Sequence, residues 1–94
     1  MSTDNGSFDG GEHAALVRKA FGVTLRVALA DAGMNKKTLA RQAGLSEGLV
    51  INYTKGRQAP RLNEFERVAA ALGVDSIDLY RQFIGQRDRI RGAG

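Results

Sequence analysis

The 94-residue chain has no cysteine, no tryptophan, one proline and one histidine. Without cysteine there is no disulfide framework, no thiolate nucleophile and no thiolate metal ligand, as suits a chain kept in a reducing cytosol. A metal site needs several ligands, so His13 alone supplies none. Acid–base chemistry would fall to scattered carboxylates that no motif brings together. Neither an enzymatic activity nor a cofactor is expected. No apolar run approaches the roughly 18 residues that span a bilayer. The opening MSTDNGSFDGGEH is polar and acidic and lacks a signal-peptide core. A soluble, cytoplasmic protein without membrane association is expected. Aromatic residues make up only 6% of the chain against 43% hydrophobic. The core must therefore be aliphatic and alanine-rich, which suits closely packed short helices.

What is present is a lopsided charge. The net charge is +4, but residues 1–13 carry Asp4, Asp9 and Glu12 with no Lys or Arg. Residues 14–61 hold nine basic residues against only Asp31 and Glu47, and residues 62–94 balance five of each sign. A locally basic surface is the footprint of a polyanion binder. A solvated, arginine-rich surface would give the same count.

A chain of this length forms one domain around one core. Residues 1–11, rich in Gly, Ser, Thr and Asp, lack the apolar area to order themselves and read as a disordered acidic tail. A first helix is expected from Glu12 to Ala32, with Leu16, Val17, Ala20, Phe21, Leu25, Ala28 and Leu29 at helical spacing. Gly22 followed by Val23 and Thr24 is a point where it could break in two. A fourth helix is expected over Leu62–Leu72, and a fifth, capped by Asp75 or Ser76, carries Ile77, Leu79, Tyr80, Phe83 and Ile84. The functional domain would span 12–85, leaving 86–94 as a frayed basic tail.

Between the first and fourth helices lies NKKTLARQAGLSEGLVINYTKG, residues 35–56. It reads as a helix over Lys36–Ala43, a turn through Gly44, Leu45 and Ser46, and a helix over Glu47–Lys55. Asn35 and Ser46 are N-caps. Leu39, Ala40 and Ala43 face inward from one helix, Val50 and Tyr53 from the other. Gly44 allows a positive φ in the turn. Two short helices closing on such a turn form a helix-turn-helix, whose second helix lies in the DNA major groove.

The spacing of Leu25, Gly33, Leu39-Ala40, Ala43-Gly44, Leu45-Ser46, Val50, Tyr53, Gly56, Pro60 and Val68–Val74 resembles the phage-repressor and Cro-type helix-turn-helix transcription regulators over Phe21–Leu79. The resemblance implies an all-α, lambda-repressor-like bundle of about five short helices. It implies that the third helix reads the major groove, while the start of the second helix and the loop after the third hold phosphates. It also implies binding as a dimer to two-fold-related half-sites. Two departures stand out. Family members often pair an Arg late in the first helix with a Glu near the end of the third; the matching positions here are Leu29 and Thr54. Losing both charges together can be neutral, where losing one is costly. Lys36 stands where the family commonly has Gln.

With Val50 and Tyr53 inward, Glu47, Gly48, Leu49, Ile51, Asn52 and Lys55 face outward. Asn52 is the candidate base reader, because its amide matches adenine N6 and N7. Glu47 can accept from cytosine N4 or serve as a first-turn acid favoured by the helix dipole. Leu49 and Ile51 can cover thymine methyl groups, and Gly48 permits close backbone approach. The candidate phosphate contacts are Asn35, Lys36, Lys37, Ser46, Lys55, Arg57, Gln58 and Arg61. Arg41 lies on the second helix outside this set, and Arg18, Lys19 and Arg26 are read as plain surface.

The fifth helix carries more apolar bulk than it needs to close a bundle. Ile77, Tyr80, Phe83 and Ile84 are the candidate dimerisation residues. The expected function is a small dimeric repressor on a double-stranded DNA operator, nucleoid-associated and bacterial or phage in kind. So short a chain leaves no room for a ligand-sensing domain, so control by concentration, a partner or degradation is expected. The rival is a protein-interaction module on the same fold, such as an antitoxin, presenting Leu49 and Ile51 to a protein partner.

Overall fold

The computed structural model describes residues 10–93. These form five helices and no strand: α1 (Gly10–Ala32), α2 (Lys36–Ala43), α3 (Glu47–Thr54), α4 (Leu62–Leu72) and α5 (Ser76–Ala93). The core joins Ala20, Phe21, Leu25 and Leu29 of α1 to Leu39 and Ala40 of α2 and to Val50 and Tyr53 of α3. Val68, Ala69 and Leu72 of α4, with Leu79 and Phe83 of α5, complete it. The sparse aromatics are not scattered. Tyr53, Phe21, Phe65, Tyr80 and Phe83 form one string of ring contacts, with successive centroids 5.7 to 6.4 Å apart. That string ties α3, α1, α4 and α5 together, and its two edge-on pairs, Phe21–Tyr53 and Phe65–Tyr80, add to plain area burial.

Three expectations are corrected. First, α1 does not break at Gly22. A Cβ there would lie 2.9 Å from the Tyr53 carbonyl oxygen and 3.2 Å from the Gly56 nitrogen. Gly22 is thus a close crossing of α1 over α3, not a break. Thr24 follows it without disruption because its hydroxyl donates to the Ala20 carbonyl (2.8 Å). Second, residues 86–93 are helical rather than frayed. Ile84 and Ile90 pack against the core, Arg87 lies over the Phe83 ring, and Asp88 pairs with Arg87 and Arg91. Asp75 is the residue that caps this helix, accepting from the Ile77 amide. Third, α1 starts two residues before Glu12, so Gly10 and Gly11 are helical. The rest of the expected acidic tail lies outside the described residues.

Candidate nucleic-acid interface

Both helices of the α2–α3 unit begin on side-chain caps. The Asn35 oxygen accepts from the Thr38 amide at 2.8 Å, and Ser46 Oγ accepts from the Leu49 amide at 3.1 Å. Each cap spends an acceptor and leaves a donor: the Asn35 amide NH2 and the Ser46 hydroxyl hydrogen. Gly44 ends α2 at φ 69°, where only glycine sits without strain, and the Leu45 amide turns back to the Ala40 carbonyl (2.9 Å). The chain then starts α3 after only three residues.

On α3, Val50 and Tyr53 are fully buried, as their spacing implies. Thr54 is buried as well, its hydroxyl donating to the Ile51 carbonyl (2.8 Å). Leu49 does not face wholly outward: it is half-buried and packs against the core. Ile51 and Asn52 are also half-buried, while Glu47, Gly48 and Lys55 are exposed. A Cβ on Gly48 would meet nothing within 4 Å. Internal packing therefore leaves that stretch of backbone open to solvent.

Around α3 stand the cations. Lys36, Lys37, Lys55, Arg57 and Arg61 are all exposed, as are Asn35, Ser46 and Gln58. Among the described residues, the salt bridges all lie on α5, and none involves these five cations. Lys36 and Lys37 share one shallow hollow with Arg26, Asn35 and Glu47, so the Glu47 carboxylate sits among cations at the head of α3. The other three cations follow α3 in the loop to α4.

Several residues that hold this surface escaped the sequence reading. Arg26 is not plain surface: its guanidinium donates to the carbonyl of Thr54, the last residue of α3. The first helix therefore does send an arginine to the end of the third. The acceptor is a main-chain carbonyl at a helix C-terminus, where a cation is favoured. Glu64 of α4 accepts the Tyr53 phenol (2.9 Å) and the Arg61 amide (3.0 Å) on the same oxygen. These donors, the Arg61 amide most, hold its carboxyl below the usual carboxylate range. Burial, then the Glu64 bond, pushes the Tyr53 phenol well above its usual value. Arg67 donates to the Ala43 carbonyl (3.0 Å) and the Gly44 carbonyl (2.6 Å), clamping the turn. Glu64 three residues after a loop position was a readable sign of a capping role. The Arg67 contacts span 24 and 23 residues of sequence and left no local sign.

The candidate dimerisation residues divide. Phe83 is only 8% exposed and belongs to the core, with Leu79. Ile84 is half-buried. Ile77 (61% exposed) and Tyr80 (49%) stay on the surface beside Leu62 (78%). These three rim an apolar groove of about 500 Å³ floored by Val17, Phe21 and Phe65.

A family model of the Cro/C1-type helix-turn-helix DNA-binding domain matches residues 24–81. Two solved structures of the clp gene regulator ClgR from Corynebacterium glutamicum are similar to this chain. One has 26% identity and a TM-score of 0.76, covering 82% of each chain. The other has 29% identity and a TM-score of 0.68, covering 73% of this chain and 90% of that one. No functionally curated protein sequence matches.

Proposed function

The chain belongs to the Cro/C1-type helix-turn-helix DNA-binding family, and from that premise we propose that it is a small dimeric repressor that places α3 in the major groove of an operator. The chain is a DNA-binding transcription regulator; repression by occupancy and dimerism are the further steps. One observation carries the reading: five exposed cations, none in a salt bridge among the described residues, bracket α3, with Lys36 and Lys37 before it and Lys55, Arg57 and Arg61 after it. A protein interface rarely collects such charge, whereas a phosphate backbone rewards it.

Within that frame Asn52 reads an adenine edge and Glu47 reads a cytosine amine. Ile51, and the outer part of Leu49, cover thymine methyl groups. Gly48 lets the backbone approach the groove. Asn35, Ser46 and Gln58 add neutral donors to phosphates. Two copies associate through Ile77, Tyr80 and Ile84, with Leu62 joining them. Similarity to ClgR, a regulator of clp genes, supports a transcriptional role.

The test is selection of duplexes from a random library by the purified full chain at about 0.15 M salt. Enrichment of an inverted repeat, with half-site centres about one helical turn apart, is expected. Salt-sensitive binding to bulk DNA without enrichment would reject base reading by α3 alone. It would favour a protein partner on Leu49 and Ile51 instead.

A further inference from the structure

One carboxylate oxygen on α4 joins two parts of the interface that differ in role. Glu64 Oε1 accepts the phenol of Tyr53, which belongs to the base-reading helix. The same atom accepts the backbone amide of Arg61, which belongs to the phosphate-holding loop. Three residues along the same face of α4, Arg67 grips the carbonyls of Ala43 and Gly44 at the end of α2. One short helix thus holds α2, α3 and the loop at once.

We propose that Glu64 and Arg67 are positioning residues for DNA binding, fixing the recognition helix, its turn and the phosphate loop in a single register. The inference rests on the DNA-binding reading above, and it needs neither side chain to touch DNA.

The physical reason is directionality. Helices of eight residues, such as α2 and α3, have no stability of their own. Apolar burial selects the face that α3 turns inward but is non-directional, so it sets the angle of α3 about its own axis less finely than a hydrogen bond does. A hydrogen bond weakens steeply as its angle departs from linear. The Tyr53 hydroxyl lies at the far end of a fully buried ring, so fixing it fixes the rotation of α3. Asn52 is the adjacent residue, and its angle around the helix follows. Because Arg61 hangs from the same oxygen, the base-reading side chain and the phosphate clamp are set relative to each other. A bidentate contact to a base edge depends on that relation.

The experiment uses the full chain and three variants: Glu64→Gln, Glu64→Ala and Tyr53→Phe. Affinity for the selected operator, affinity for an unrelated duplex and the salt slope are measured at a temperature where circular dichroism shows each protein folded. Gln keeps an oxygen acceptor in place, and Glu64→Gln is expected to stay within about twofold of wild type. Folded Glu64→Ala is expected to lose roughly tenfold on the operator and less on the unrelated duplex, with the salt slope lower by about one. A merely structural role would lower the melting temperature and leave the folded protein's slope and preference unchanged; that result overturns the proposal. Equal loss in Glu64→Gln and Glu64→Ala also overturns it, because charge rather than geometry would then matter. Should Glu64→Ala fail to fold, Tyr53→Phe decides, since it removes one oxygen only. Weaker operator preference supports the proposal, and unchanged preference overturns it. A wild-type chain that binds no duplex rejects the functional reading and this inference together. Binding by wild type, with Glu64→Ala indistinguishable from it, rejects this inference alone.

Discussion

Gly22 of α1 lies so close to Tyr53 of α3 that a Cβ on the glycine would stand 2.9 Å from the tyrosine's carbonyl oxygen. The carbonyl of Thr54 and the amide of Gly56 close the same space at 3.2 Å. All three are main-chain atoms, which cannot swing aside as a flexible side chain would. Helix α3 is thus seated on the backbone of α1 itself. Gly22→Ala should therefore destabilise. Removing a mid-helix glycine gains about 1 kcal/mol, but overpacking costs about 1–3 kcal/mol. A net loss of stability in urea unfolding is expected, and a gain would show that α1 and α3 part easily.

Asn52→Ala and Arg57→Ala should fail in different ways. Loss of the Asn52 amide is expected to cost about 1–3 kcal/mol on the operator and to relax choice at one base step. Loss of Arg57 should weaken binding to every duplex and reduce the salt slope by about one. Titrations of both variants against operator and scrambled duplexes at several salt concentrations separate the two roles. Unaltered base preference in Asn52→Ala would remove it as a reader.

Stability should have two pH limbs with named causes. The carboxyl of Glu64 is held below its ordinary value of 4.5 in the folded chain. The unfolded chain therefore takes up the proton first as pH falls, and stability is lost from about 4.5 downward toward the folded value. Tyr53 is raised above its ordinary value of 10.0. Its contribution is fully present below pH 10 and is lost as pH rises beyond it, because the unfolded chain ionises first. Glu64→Gln should flatten the acid limb, and Tyr53→Phe the alkaline one. Thermal melts across pH check both, and limbs of unaltered steepness would assign the pH dependence to other groups.

Ile77→Asp tests the proposed dimer without touching the core. Ile77 is 61% exposed, whereas Leu79 and Phe83 on the same helix are buried. The fold should stay within about 0.5 kcal/mol of wild type, as surface changes usually do. Light scattering at micromolar concentration should show two chains for wild type and one for the variant. A wild-type mass of one chain, with and without DNA, would reject association through α5.

The sequence by itself determined the helices that carry their own punctuation. Lys36–Ala43 lies between an Asn cap and Gly44, and Leu62–Leu72 ends at Gly73, so both ranges were legible. The inward placing of Val50 and Tyr53 followed from helical spacing. The basic frame was legible because exposed charge needs no partner to be counted. Only the tertiary structure decided what depends on distant neighbours. Gly22 looks like a breaker until the backbone of α3 is placed against it. The tail after Ile84 looks frayed until Ile90 finds the core. Phe83 and Tyr80 look alike on a helical wheel, yet one is buried and the other half exposed. Arg26, Glu64 and Arg67 look like surface charge until the groups they hold come within reach, 28, 11 and 24 residues away in sequence. Local pattern fixes which face of a helix is apolar, because that depends only on backbone periodicity. Which polar group meets which carbonyl depends on how helices far apart in sequence cross, and only packing in three dimensions sets that.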